Sequence, residues 1–261
     1  MLQYLALILA VVMSLNGQAQ GSEPADEEDP LSPERVVELT KSFEKSLVES
    51  ARIVRENPGS VGGYSQRGDA CFFLGRFDEA VADYDKMIDL DESGRTSHWR
   101  RGIALFYAKR FKDAAEQFES YHSFDQIDRE NGIWRYLSQH MSDGRDKARQ
   151  GLLKYRKDDR EPFPAVYKLF AGATSPDSIL KQISEADIAN PEREKRLFYA
   201  NLYIGLNFAV EDDARSAMKH LKSATRNTWG PDAGYGPNFM WQVGRLHESQ
   251  LRAQMKKPEP K

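Results

Sequence analysis

The sequence predicts an all-α protein of stacked helix-turn-helix units, an α-solenoid. Apolar residues recur at helical spacing along most of the chain, and strand alternation is scarce. One set of residues repeats at a fixed step of 34. Helix start and stop signals fall between the periodic stretches, as at Ser32-Pro33 and Asn57-Pro58.

Taken in order, residues 1–21 stand apart. Met1 to Leu15 carry no charged side chain, and the run Leu5-Ala6-Leu7-Ile8-Leu9-Ala10-Val11-Val12-Met13 is too short to span a bilayer, which needs about 20 residues. It suits the apolar core of a secretory signal, with Gly17-Gln18-Ala19 and Ala19-Gln20-Gly21 offering small-x-small cleavage sequences. Export to a periplasm or to the outside is expected, with membrane tethering if the signal stays uncleaved. No cysteine follows the apolar run, so no lipid attachment is expected there. Residues 22–32 are acidic and broken by prolines and read as a flexible linker, residues 33–255 as the helical repeat domain, and 256–261 as a disordered tail.

The first helix is predicted from the Ser32-Pro33 start, with Phe43, Leu47, Ala51 and Val54 on one face. The repeat follows. A step of 34 carries Gly68 to Gly102, Cys71 to Leu105, Arg76 to Arg110, Phe77 to Phe111, Ala80 to Ala114 and Tyr84 to Phe118. In a third unit Ala148 keeps phase with Ala114, and Leu152 and Tyr155 are expected on its second helix, behind a first helix carrying Trp134, Leu137 and Met141. A fourth unit places Phe163, Val166, Tyr167 and Phe170 on one helix, then Ile179, Ile183 and Ala186 on the next, ending at Asn190-Pro191. Four extra residues near Glu192 to Lys195 precede a fifth, with Gly205, Phe208, Ala217, Leu221 and Ala224. Gly236-Pro237-Asn238 opens a last helix through Phe239, Trp241, Val243 and Leu246, a cap for the end of the stack.

Small residues at Gly68, Ala80, Gly102, Ala114, Ala148, Gly205 and Ala217, each set against large apolar partners, resemble the tetratricopeptide-repeat (TPR) family. The resemblance implies a right-handed superhelix of four to five helix-turn-helix repeats with capping helices. It also implies a concave face that receives extended peptides, lined in the first unit by Gly62, Ser65, Asp69, Phe72 and Phe73 and in the second by Thr96, Trp99, Ile103, Phe106 and Tyr107. Ile133, Leu137, His140 and Met141 extend that stripe. The candidate partner-binding residues are therefore Phe72, Phe73, Trp99, Ile103, Phe106 and Tyr107, with core packing as the competing role. The family's carboxylate clamp is not matched, since Ser65 or Trp99 and Asp69 or Ile103 occupy its slots. Among exported members the plan is similar to periplasmic TPR adaptor lipoproteins that bring a processing peptidase to its substrates, without their lipid-accepting cysteine.

Chemistry by other routes finds no foothold in the pattern. The five histidines show no zinc-ligand spacing, and Cys71, the one cysteine, reads as a buried small hydrophobe. Gly59-Ser60-Val61-Gly62-Gly63 lacks the Gly-Lys-Ser/Thr of a phosphate loop and reads as an inter-repeat turn, and Asp212-Asp213 as a helix cap. A net charge of -3 gives no electrostatic footprint for nucleic acid. The expectation is a non-catalytic scaffold without cofactor or metal that binds a peptide or partner protein. A self-associating homodimer is the alternative reading, ahead of an enzyme with an unrecognised site.

Overall fold

Helix starts follow the capping chemistry of the sequence. The computed structural model describes residues 31–256, so the signal-peptide reading of 1–21, nearly all of the linker and nearly all of the tail lie outside the described residues. Within them the chain is all-α, with thirteen α-helices and no strand. Ser32 accepts from the Arg35 amide and Pro33 fills the first turn of α1 (Pro33–Glu56). Ser60 accepts from the Gly63 amide at the start of α2 (Val61–Phe73), so the glycine-rich stretch is a helix entry.

Three tight pairs share one design: α2 with α3 (Phe77–Leu90), α4 (Trp99–Tyr107) with α5 (Phe111–Phe124), and α10 (Asn190–Val210) with α11 (Ala214–Thr225). In each, a glycine on the first helix takes a large side chain sixteen residues on. A Cβ on Gly68 would lie 2.7 Å from the Tyr84 ring, one on Gly102 2.5 Å from the Phe118 ring, and one on Gly205 2.8 Å from Leu221. Tyr84, Phe118 and Leu221 are fully buried there, as are Ala80, Ala114 and Ala217 beside them. The turn between the two helices is also shared, with a left-handed residue at Gly75 (φ 78), Lys109 (φ 62) and Asp212 (φ 61). Asp213 then caps α11 by accepting from the Ser216 amide.

The third unit departs from expectation. Tyr136, on α6 (Arg129–Asp143), stands 34 residues after Gly102, and its buried ring packs edge-on against Phe170 at 5.1 Å. The following α7 (Arg145–Gln150) keeps Ala148 buried but stops early, so Leu152 and Tyr155 lie in an irregular segment and not on a helix. Tyr155 turns back against Gly132, and its hydroxyl donates to the Asp128 carbonyl at 3.1 Å.

Next, α8 (Phe163–Phe170) and α9 (Pro176–Glu185) carry the expected apolar residues, except that Ala186 falls just beyond α9. Asn190-Pro191 opens α10 instead of closing the fourth unit, because proline fits a first helical turn. The four extra residues lengthen α10 at its start.

After the short α12 (Trp229–Asp232), α13 (Tyr235–Met255) does more than cap the end. It packs on α11 and α12 and returns to α2. Phe239 is fully buried with its ring centroid 5.0 Å from Phe72, 5.1 Å from Phe73 and 4.9 Å from Trp99. The Tyr235 hydroxyl donates to Asp69 at 2.6 Å, and Arg245 Nη2 donates to the Phe73 carbonyl at 2.8 Å. Helices far apart in sequence thus meet, whereas in an open solenoid each unit touches only its neighbours.

Candidate binding site

The face expected to receive a peptide is occupied by the chain's own α13. Phe72 stacks on Phe239, Phe73 lies between Phe43 and Phe239, and the Tyr107 hydroxyl meets His247 Nδ1 at 3.0 Å. Phe106 packs edge-on against Trp134 on α6. These four side chains are spent on internal packing, and an extended peptide has no room over them. Burial that lowers the His247 pKa to about 4 keeps its ring neutral inside this contact. Of the further stripe, Ile133 and Leu137 are core, while Met141 is exposed.

Trp99 and Ile103 have a different setting. They line a cavity of about 440 Å³ together with Tyr121, Trp134, Tyr199, Trp229, Pro237 and Met240. The walls come from α4, α5, α6, α10, α12 and α13, so the cavity lies between the middle of the chain and its last helices. Its volume falls within the range of roughly 300–1,000 Å³ usual for ligand pockets.

Titratable side chains share this lining. Asp128 caps α6, accepting from the Glu130 amide at 3.0 Å and from Asn131 Nδ2 at 2.6 Å. Glu130 stands in the first turn, where Tyr203 donates to its Oε1 and Arg160 Nη2 donates to its Oε2 at 2.5 Å. Arg160 also reaches Asp159 at 3.2 Å and Asp128 at 3.6 Å, and lies over the Phe163 ring at 4.3 Å. Asp159 in turn accepts from the Arg129 amide at 2.9 Å, closing the helix entry from the irregular segment. Lys195, on the lengthened start of α10, lines the cavity and pairs with Glu192 at 2.7 Å.

Burial, with Asp128 and Asp159 adding to it, raises the Glu130 carboxyl to about 7 against the opposing pull of Arg160. Burial also raises Asp128. A carboxyl of this kind in a cavity is a candidate acid or base. Here both its oxygens are held from within the fold, which suits a fixed electrostatic role. The lining contains no serine, cysteine or histidine.

Asp128, Glu130, Arg160, Lys195, Tyr199, Trp229 and Met240 were not singled out from sequence. For two of them a signal existed. The 34-residue register that places Gly62 at the second position of the first unit puts Glu130 there in the third, and counting back from Gly205 puts Tyr199 there in the fifth. Among the described residues no cluster of three or more histidine, cysteine or carboxylate side chains is arranged to hold a metal, and no helix is long and apolar enough to cross a membrane. Comparison with protein-family models and with curated proteins gives no match.

Proposed function

We propose that this chain is a non-catalytic binding module built from tetratricopeptide-type repeats, and that its partner inserts a group into the cavity between α4, α6, α10 and α13. The observation that carries the reading is the cavity: five aromatic side chains, Trp99, Tyr121, Trp134, Tyr199 and Trp229, line it together with Asp128, Glu130, Arg160 and Lys195. Aromatic anchors around a small set of fixed polar groups are the usual composition of a recognition site. The repeat reading is supported by the 34-residue step and by the three glycine pockets that recur with it. The export reading of residues 1–21 places the module in a periplasm or outside the cell.

A photo-crosslinking amino acid at position 229, compared with one at the exposed position 48, tests this. A partner that crosslinks at 229 only, and is lost on Tyr199→Ala in a folded protein, is the expected result. Equal crosslinking at both positions would remove the cavity from the account.

A further inference from the structure

Carboxylates crowd one part of the cavity. Asp128 and Glu130 line it beside Arg160 and Lys195, and with Asp159, outside the lining, they converge on the Arg160 guanidinium. The cations nearby are already paired. Lys195 is engaged by Glu192, which Arg196 shares at 2.9 Å, and Arg129 lies over the Tyr155 ring with Asp158 at 3.6 Å. The carboxylates of Asp128 and Glu130 each keep acceptor capacity beyond the bonds they make, since a carboxylate accepts about four hydrogen bonds. Burial is the first cause of the raised Glu130 pKa, and Arg160 opposes it.

The lining is also rich in aromatic rings, and an indole or phenol ring attracts a cation through its quadrupole. The fold already uses this pairing at the cavity, where Arg160 lies over the Phe163 ring at 4.3 Å and the Tyr199 ring at 5.9 Å. Taking the cavity as the binding site proposed above, we infer that it recognises an organic ammonium group, with the nitrogen against Asp128 and Glu130 and the alkyl chain against Trp99, Tyr199 and Trp229. The group can be presented by a small free amine or by a lysine side chain of a partner segment. At the carboxylate oxygens themselves a cation is favoured over an anion.

The experiment uses the full chain and the tryptophan fluorescence of the cavity walls, titrated with four probes: n-butylammonium, Nα-acetyl-lysine N-methylamide, neutral n-pentanol and butyrate. Both ammonium probes, or one of them, should bind at least about tenfold more tightly than pentanol, and butyrate should not compete. Butylammonium alone identifies a free amine, and binding of the blocked lysine identifies a side chain. Asp128→Asn keeps the helix cap and should erase the preference for ammonium while leaving pentanol binding unchanged. Glu130→Gln serves as the second variant, with its melting temperature checked first. Equal affinity for pentanol and the ammonium probes, or a preference for butyrate, overturns the cation inference and leaves the cavity as a binding site. No binding by any probe counts against both.

Discussion

Adding one methyl group to Gly68 or to Gly62 should have opposite effects, although both lie on α2. At Gly68 a new Cβ would sit 2.7 Å from the ring of Tyr84, which is fully buried and cannot swing away. Overpacking of this kind costs about 1–3 kcal/mol, and the better helix propensity of alanine returns about 0.5–1. The net for Gly68→Ala is therefore a loss of about 1–2 kcal/mol. At Gly62 nothing lies within 4 Å, so only the propensity gain remains, about 0.5 kcal/mol near a helix start. Gly102→Ala should behave like Gly68→Ala, its Cβ being 2.5 Å from Phe118, and Phe118→Leu should rescue it by making room. In a double-mutant cycle that pair should couple by about 1–2 kcal/mol. Urea unfolding measures each value, and melting temperature should move by roughly 2–4 °C per kcal/mol in a chain of this size. If Gly68→Ala proves as harmless as Gly62→Ala, the recurring glycine pockets do not hold the helix pairs together.

The remaining predictions concern the turns, a titrating cap and the last helix. Lys109→Gly and Asp212→Gly should each stabilise by about 1 kcal/mol, because both residues hold a left-handed backbone that costs an L side chain about that much; calorimetry showing no gain would count against a common turn. His98, 8% exposed, accepts from the Arg101 amide, and burial lowers its pKa to about 4. It is neutral in the fold but takes a proton on unfolding below its ordinary 6.5, so stability is intact above pH 6.5 and falls by about 3 kcal/mol as pH drops towards 4. His98→Asn keeps the capping acceptor without the titration, and its urea midpoints at pH 4.5 and 7.5 should differ less than those of the parent protein by most of that amount. Phe239→Ala should cost about 3–5 kcal/mol, the value for a fully buried phenylalanine. A loss under about 1 kcal/mol by urea unfolding would mean that α13 is not part of the core.

Local features of the fold were legible because local chemistry decides them. Ser32-Pro33 starts a helix wherever it occurs in an apolar period, and a glycine sixteen residues from a large apolar side chain repeats visibly three times. Two things were not legible. A tyrosine at position 136 stands where the register has the glycines of the close pairs, and nothing local announces that α7 ends at Gln150. The path of α13 is set by long-range contacts, Phe239 on Phe72 and Tyr235 on Asp69, that no spacing within the helix reveals. That one error of path moved the expected site. Phe72, Phe73, Phe106 and Tyr107 show the same aromatic pattern whether the covering helix comes from a partner or from the chain itself.

The cavity is assembled from the places where the repeat fails. Arg160 comes from the irregular segment that exists because α7 ends at Gln150, and Asp159 beside it closes the entry of α6. Lys195 comes from the four residues that lengthen α10, Trp229 from a four-residue helix outside the register, and Met240 from the helix that fills the groove. The regular pairs contribute Trp99, Ile103, Tyr121 and Tyr199 as walls. A strictly periodic stack would present the same face over and over and enclose nothing. Truncating one unit, extending another and returning the last helix towards α2 produces a partly open cavity, with its charges on side chains the periodicity does not specify. Restoring regularity should therefore abolish binding before it abolishes folding: deleting residues 192–195 should leave the helical circular dichroism in place while removing Lys195 and shifting Tyr199 out of the wall. Retention of full probe affinity by that folded deletion would show that the cavity does not depend on the broken register.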